Sequence, residues 1–296
     1  MRRSDAVRLV ALSAIWGSSF IFIRVVAPVL GPVLTVLTRV LIGGAVLVAY
    51  CRIIGLDAQV KRHWRLYAVI GLVNSTLPFM LFAFAALHLP ASYSVILNST
   101  APLFTALWAV PLLDERLTRR KLMGLVAGAA GVALVSRAGP VVPDLWFWIS
   151  VLACLGSTTC YALSSIYMKK RAAHLKPFAI AGWSQIFAGV VLLPFLPFAQ
   201  PSAPLTPLIA FNVLMLALFC SSIAYVLYYR LIADIGPTRA LTMAFLMPVF
   251  GMLWGALFLG EPITLAMVAG CALIIAGATA VLGPARAVST LAPRRL

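Results

Sequence analysis

The sequence predicts an all-α membrane protein in which ten transmembrane helices form two inverted five-helix repeats around a central cavity. Three observations predict this fold: the apolar composition, the uneven distribution of basic residues along the chain, and an internal repeat. Of the 296 residues, 63% are hydrophobic and only 10% are charged. A soluble domain of this length needs far more charge to cover its surface.

Ten apolar segments lie between breaks that are rich in charged or turn-forming residues, and each is close to the roughly twenty residues that cross a bilayer as a helix. The connections between them are too short to hold a soluble domain. The basic start of the chain imitates a signal peptide, but no small-residue cleavage site follows it, so we interpret this stretch as the beginning of the first helix. We number the segments spans 1 to 10: 7–27, 33–51, 66–88, 92–113, 119–137, 146–168, 178–198, 207–230, 239–259 and 264–283.

The basic residues orient the chain in the membrane. If the N-terminus is cytoplasmic, 20 of the 23 Lys and Arg fall at inner connections or at the termini, and the outer connections receive only Arg137. The other two, Arg24 and Arg39, lie within spans. This bias is the positive-inside rule, and it predicts a multi-pass inner-membrane protein with both termini cytoplasmic. The net charge of +16 therefore indicates a lipid bilayer as the partner and argues against nucleic acid.

A pattern of Pro, Trp and Glu occurs twice at a separation of 146 residues, first in "APLFTALWAVPLLDE" from Ala101 and again in "MPVFGMLWGALFLGE" from Met247. The first half (1–144) and the second half (145–296) thus hold five spans each, and an odd number inverts the second half relative to the first. The turn after the first copy is "RLTRRK", whereas the turn after the second is the uncharged "PITLA". At this separation the following pairs match: Pro102 and Pro248, Trp108 and Trp254, Glu115 and Glu261, Thr118 and Thr264, Gly124 and Gly270, Gly131 and Gly277.

Inverted repeats are typical of secondary transporters, whose two halves move about a site near the membrane midplane. A duplication that only builds a stable bundle is the alternative. The sequence resembles the EamA-type carriers of the drug/metabolite transporter superfamily in "AIWGSSFIFIR" of span 1, in Arg39 of span 2, and in "PLFTALWAVPLLDERLTRRKLMG" with its partner "PVFGMLWGALFLGEPITLAMVAG". This resemblance implies transport of amino acids, other metabolites or drugs, and the chain looks most like exporters of amino acids, including aromatic ones.

Prolines in the middle of two spans indicate where the site lies. Pro102 and Pro248 each remove one helical hydrogen bond, and the freed carbonyls must face protein or a wet cavity. We predict that both act as hinges, although kinks that serve packing alone are an equal alternative. Asn98 precedes Pro102 by one turn and begins an Asn-Ser-Thr glycosylation pattern, which its depth in the membrane excludes. We predict that Asn98 lines the cavity, with a buried interhelical hydrogen bond as the alternative.

Other polar and aromatic residues within spans are candidates for substrate binding. Arg39 could hold a substrate carboxylate or brace the fold by bonding to helix-end carbonyls, and the resemblance favours bracing, because that family carries Arg here across varied substrates. Trp16 and Trp183 are deep enough to wall a cavity, and a deep tyrosine offers a ring and a hydroxyl that needs a partner. The predicted substrate-binding residues are Trp16, Arg39, Asn74, Asn98, Tyr161, Trp183 and Tyr225.

The sequence also argues against several kinds of chemistry. No carboxylate or histidine lies in the middle of a span, so we expect facilitated movement rather than proton coupling. No catalytic motif is present, and the five cysteines have packing rather than metal spacing, so we expect no enzyme, cofactor or metal. A phosphorylated-sugar or nucleotide-sugar exchanger and a membrane enzyme or sensor remain alternatives. The Gly- and Ala-rich spans 5 and 10 could support a homodimer, although packing within each half is the simpler interpretation.

Overall fold

The computed structural model describes residues 2–139, 141–240 and 242–282, and this part of the chain is helical, with no β-strand. The C-terminal end of the second predicted half and the basic residues Arg286, Arg294 and Arg295 lie outside the described residues. The α-helices are α1 (Arg3–Ile53), α2 (Val60–Gly71), α3 (Leu77–Ala85), α4 (Ala91–Asn98), α5 (Ala101–Leu113), α6 (Arg119–Ala138), α7 (Leu145–Tyr167), α8 (Pro177–Leu192), α9 (Pro207–Leu214), α10 (Ala224–Ile235), α11 (Pro237–Ala240), α12 (Met243–Leu259) and α13 (Leu265–Leu282). Helical turns of other types continue several of them: π-helices at Leu72–Thr76, Met168–Ala172 and Met215–Ile223 and a 3₁₀-helix at Leu193–Phe198.

Seven helical runs of the described chain are long and apolar enough to cross a membrane, so this is a multi-pass membrane protein. They are Arg3–Ile53, Val60–Ala85, Ala91–Leu113, Leu145–Ala172, Pro177–Phe198, Pro207–Ile235 and Leu265–Leu282. The number is lower than the ten predicted spans for three identifiable reasons. Spans 1 and 2 both fall in α1, span 9 falls on α11 and the shorter apolar helix α12, and span 5 falls on α6, whose first turn carries three basic residues.

Helix α1 is broken at a position where the sequence predicts a loop between spans 1 and 2. Gly31 has φ +72° and ψ 163°, between Pro28 and Pro32. Only glycine adopts such a conformation readily, and Pro32 can restart a helix because its fixed φ suits the first turn. The helix is therefore interrupted at a single residue, where we expected the five-residue connection 28–32.

Of the two matching prolines, Pro102 lies where the helix is interrupted, whereas Pro248 lies within a continuous helix. Span 4 consists of two helices, α4 and α5, separated by Ser99 and Thr100, because Pro102 has no N–H to donate to the carbonyl of Asn98. The Ser99 and Thr100 hydroxyls bond back to the carbonyls of Val95 and Leu97, at 3.2 and 2.7 Å. Helix α12, in contrast, continues through Pro248, so the two predicted hinges differ in backbone structure.

Helices α6 and α13, which correspond to spans 5 and 10, pack against each other rather than within their own halves. Gly124 faces Gly277 and Gly131 faces Gly270, so closely that a Cβ on Gly131 would lie 2.6 Å from the carbonyl oxygen of Gly270. Small residues permit this approach of two backbones. The glycine faces that could have supported a homodimer are thus used inside one chain.

The two predicted halves are interlocked through α1. This helix packs against α8, α12 and the π-helix Met215–Ile223, all of which belong to the second half of the sequence. Close approach is possible because Gly17 lies against α12, where an added Cβ would be 2.9 Å from the carbonyl oxygen of Met247, and Gly43 lies 2.8 Å from the Cβ of Ser221 by the same measure. The space that remains between these helices is the central cavity.

Candidate functional site: a central cavity

A cavity of about 440 Å³ lies between the two halves. This volume falls in the range of sites for small molecules. Polar and aromatic side chains interrupt an otherwise apolar wall. The lining residues used below are Trp16, Arg39, Asn74, Phe79, Phe82, Asn98, Pro102, Thr105, Tyr161, Ser165, Tyr225, Tyr228 and Tyr229.

Arg39 carries the only formal charge among the lining residues that the structure describes. It is only 6% exposed, its Nε donates to the Ser221 hydroxyl at 3.1 Å, and its guanidinium carbon lies 3.8 Å from the ring centroid of Phe79. No ion pair of Arg39 is found within the described chain. No hydrogen bond from Arg39 to a helix-end carbonyl is found there either, so its remaining donors are available to a ligand.

Aromatic side chains form the wall beside Arg39. The ring of Trp16 lies 5.8 Å from that of Tyr225 and 5.2 Å from that of Tyr228, centroid to centroid. The indole of Trp16 donates to the carbonyl of Cys220 at 3.0 Å, which fixes its orientation. Edge-to-face and tilted ring pairs of this kind are favourable, and together they give a rigid apolar surface with two phenol groups.

The break between α4 and α5 supplies hydrogen-bond acceptors to the opposite wall. Asn98 is the last residue of α4 and lines the cavity, and its carbonyl lacks the helical donor that Pro102 cannot supply. Pro102 and Thr105 follow on the next helix, and the Thr105 hydroxyl donates to the carbonyl of Ala101 at 2.9 Å. This wall can therefore accept a hydrogen bond from an ammonium or hydroxyl group.

The structure brings most of the predicted site residues to one place. Trp16, Arg39, Asn74, Asn98, Tyr161, Tyr225 and Pro102 all line the cavity. Trp183 does not, because it lies on another face of α8 and packs against the separate cluster around Tyr67 and Ile70. Pro248 is also absent from the lining, since it is buried inside α12.

Several lining residues were missed at the sequence level. Phe79, Phe82 and Tyr229 were not among the predicted site residues, although Tyr225 and Tyr229 stack at 6.0 Å one helical turn apart. Spacing of i and i+4 could have identified Tyr229; nothing in the sequence separates a cavity phenylalanine from a lipid-facing one. Among the described residues no cluster of three potential metal ligands occurs, and all five cysteines are free.

Comparison with known proteins identifies the family. The sequence profile of the EamA-like transporter family matches residues 6–137 and, a second time, residues 148–283. The chain belongs to the EamA-like transporter family. Because the two matches cover most of the chain, the cavity is that of an EamA-like membrane transporter.

Individual relatives of this EamA-like chain cover nearly its full length. It is 28% identical over 274 residues to the uncharacterized transporter YvbV of Bacillus subtilis, covering 91% of this chain and 88% of that protein. It is 26% identical over 280 residues to a probable terminal-alkyne amino-acid exporter of Streptantibioticus cattleyicolor, covering 94% and 93%. A solved crystal structure matches with a TM-score of 0.66 at 22% identity, over 95% of this chain and 97% of that one, which shows a shared fold.

Proposed function

We propose that this EamA-like transporter exports small amphipathic metabolites, above all amino acids including aromatic ones, across the bacterial inner membrane by alternating access. The observation that carries the proposal is Arg39, a buried cation without an ion-pair partner in the described chain, beside an aromatic wall. A substrate carboxylate supplies the missing counter-charge through a bidentate, charge-assisted contact.

The rest of an amino acid fits the other walls of the cavity. Its ammonium group faces the carbonyl end of α4 at Asn98, and an apolar or aromatic side chain lies against Trp16 and Tyr225. Aromatic rings also attract ammonium groups. The amino-acid exporter among the relatives supports the same substrate class.

Ten membrane crossings in two inverted halves, 1–144 and 145–296, are part of the proposal. As one straight helix the 51 residues of α1 would measure about 77 Å, more than twice the roughly 30 Å of a bilayer core. Because Gly31 interrupts them, we place one crossing on each side of Gly31. The reciprocal contacts of Gly124 with Gly277 and Gly131 with Gly270 are those expected between two similar halves related by a pseudo-twofold axis. The charge bias supports a cytoplasmic location of both termini.

Transport is facilitative in this proposal. The described lining contains no Asp, Glu or His, and a proton-coupled carrier generally needs such a group inside the membrane. A phosphorylated sugar would require several cations at the site, and the described lining provides only Arg39. No observation of the site favours an enzyme or a sensor.

The test is uptake of labelled amino acids into proteoliposomes, with phenylalanine compared with its amide, which lacks the carboxylate. We expect the parent protein to prefer phenylalanine and Arg39→Gln to lose that preference roughly tenfold, because a hydrogen bond to a charged group is removed. Arg39→Lys should retain part of it, since the charge remains but the bidentate geometry is lost.

Asn212→Ala is the matched control for this test, because Asn212 is a buried polar residue that bonds to the Leu208 carbonyl at 2.8 Å outside the cavity. It should leave the preference unchanged. An imposed pH gradient should not drive accumulation. A parent protein that moves no amino acid, or an Arg39→Gln variant with unchanged preference, contradicts the proposal.

A further inference from the structure

Of the contacts that join the two halves of the sequence, three have repeat-related counterparts whose polar groups are bonded elsewhere or lack a partner in the described chain. We call the formed contacts the observed set: Glu261 with Ser92, Trp254 with Ala14, and Arg39 with Ser221. The counterparts are found by moving each residue 146 positions along the chain. The one exception is Ala14, because span 1 matches span 6 at a slightly different separation.

The glutamates differ most clearly. The Glu261 carboxylate accepts hydrogen bonds from the backbone N–H of Ala91 at 2.7 Å, from that of Ser92 at 2.9 Å, and from the Ser92 hydroxyl. It thereby ties the turn before α13 to the first residues of α4. The counterpart, Glu115, instead forms an ion pair with Lys121 of its own half at 2.7 Å and is 41% exposed.

The residues facing these glutamates match in part, because Ala91 corresponds to Pro237, which has no N–H to donate. Ser92 corresponds to Thr238, so a hydroxyl residue stands at the equivalent place in the second half. Because an exposed ion pair contributes little, the Glu115–Lys121 contact can exchange readily. The contacts of Glu261 are charge-assisted bonds to two backbone groups and a hydroxyl, and are stronger.

The tryptophans show the same difference. The indole N–H of Trp254 donates to the carbonyl of Ala14 at 3.0 Å and connects α12 to α1. The indole nitrogen of Trp108 is buried and has no partner among the described residues. Trp108 belongs to α5, which packs against α7, and "LGST" of α7 is the counterpart of "WGSS" of α1.

The third pair lies at the site itself. Arg39 donates to the Ser221 hydroxyl, and the counterparts of these residues are Gln185 and Ser75. The Ser75 hydroxyl and the Gln185 side-chain oxygen are both buried without a partner in the described chain. In the described chain, seven buried side-chain nitrogen or oxygen atoms lack hydrogen-bond partners. Three of these atoms belong to the counterparts Trp108, Ser75 and Gln185. Since buried polar groups are almost always bonded, the concentration points to contacts formed in another conformation.

We propose that the observed set and its counterparts close opposite ends of the cavity in turn. In the structure, Glu261, Trp254 and Arg39 hold the cavity closed at the Glu261 end. In the second conformation Glu115 leaves Lys121 and bonds to the chain at Thr238, Trp108 donates to a carbonyl of α7, and Gln185 bonds to Ser75. This rests on the inverted halves of the proposed function and identifies the residues that control access to its site.

A reporter for the other end of the cavity is available. Phe147, near the start of α7, packs on Tyr93 of α4 at 5.7 Å, close to the Glu261 end. Ser165 is exposed, lines the cavity, and lies 18 residues further along the same helix, about 27 Å away. It therefore reports on the mouth opposite Glu261.

The first experiment measures maleimide labelling of Ser165→Cys in membrane vesicles, in a full-length chain whose native cysteines are replaced by alanine. We expect Glu261→Gln to slow labelling roughly tenfold, because loss of charge-assisted bonds shifts the population away from the observed set. Glu115→Gln should leave labelling equal or faster, because it weakens the opposite closure. Effects of the two variants in the same direction would overturn the proposal.

The second experiment uses paired cysteines in the same cysteine-free chain. Ser92→Cys with Glu261→Cys and, separately, Thr238→Cys with Glu115→Cys should each cross-link under mild oxidation, and each cross-link should stop exchange between the conformations. If the cysteines at 92 and 261 cross-link fully and those at 238 and 115 never do, the second conformation is contradicted. Neither readout requires a substrate, so a chain that moves no amino acid but passes both tests rejects only the proposed function.

Discussion

The helix pairs α6/α13 and α5/α12 contain repeat-related residues at the same separation, yet only the first pair has equivalent contacts on both sides. Gly124 and Gly131 meet Gly277 and Gly270 reciprocally. Trp108 lacks the partner that Trp254 has. The duplicated sequence therefore makes symmetric contacts where α6 meets α13, and asymmetric contacts where α5 meets α7 and α12 meets α1.

This difference distinguishes an interface that is suited to stay fixed from helix ends that are suited to move. A contact that is identical when viewed from either half need not change when two halves exchange their conformations, whereas a contact formed by one half alone must change. The glycine interface of α6 and α13 is thus suited to remain fixed, and the ends of α4, α5 and α12 are suited to move. Substituting both members of a repeat-related pair tests whether the two residues have equivalent roles.

The largest effect is expected at the fixed interface. Gly131→Ala places a Cβ 2.6 Å from the carbonyl oxygen of Gly270, and Gly277→Ala places one against the carbonyl oxygen of Gly124. Because a backbone atom cannot yield as a side chain can, each variant should lower the free energy of unfolding by about 3 kcal/mol, the upper end for overpacking. Thermal unfolding in detergent measures this.

Gly156→Ala is the control for the glycine variants, because its Cβ would meet only the Leu81 side chain at 3.4 Å, an ordinary contact. Alanine should be neutral or stabilising there, since glycine in a helix interior is unfavourable. Clearly unequal losses for Gly131→Ala and Gly277→Ala would show that the interface is not equivalent from both halves.

A smaller effect is expected for the two tryptophans, and it should differ between them. Trp254→Phe removes a hydrogen bond to Ala14 and should lower the free energy of unfolding by about 1 kcal/mol, the typical net value. Trp108→Phe removes a buried donor that has no partner in the described chain, so stability should stay equal or rise slightly. The same unfolding assay applies, and equal losses would contradict the asymmetry.

Most of the polar lining of the cavity could be predicted because polar residues are rare in such an apolar chain. Arg39, Asn74, Asn98, Tyr161 and Tyr225 stand out within spans, and all of them line the cavity. Trp183 shows the limit of this reasoning, since its depth was predicted but its direction was not. A residue one position from a cavity-lining neighbour is rotated by about 100° on the helix, which is enough to put it in another cluster.

The details of the helices were predictable only where local chemistry decides them. Pro102 interrupts span 4 as expected, but Pro248 occupies the matching position without a break, because tertiary packing rather than the residue itself decides how the lost hydrogen bond is accommodated. The break of α1 at Gly31 also depends on one residue's φ. The different partners of Glu115 and Glu261 follow in part from the sequence, since Lys121 has Met267 as its counterpart and the N–H of Ala91 has none at Pro237.

The smallest effect is expected at the helix N-caps that follow these glutamates. It tests whether the contacts are again symmetric directly after Glu115 and Glu261. The Thr118 hydroxyl accepts from the N–H of Lys121, and the Thr264 hydroxyl accepts from the N–H of Met267, both at 3.3 Å. The two bonds are equally long and begin the two helices of the fixed interface. Thr118→Ala and Thr264→Ala should therefore each lower the free energy of unfolding by about 0.5 kcal/mol, the low end for N-caps. Unequal losses would mean that the asymmetry extends past the glutamates into α6 and α13. The interface between these two helices would then move together with the contacts of Glu115 and Glu261.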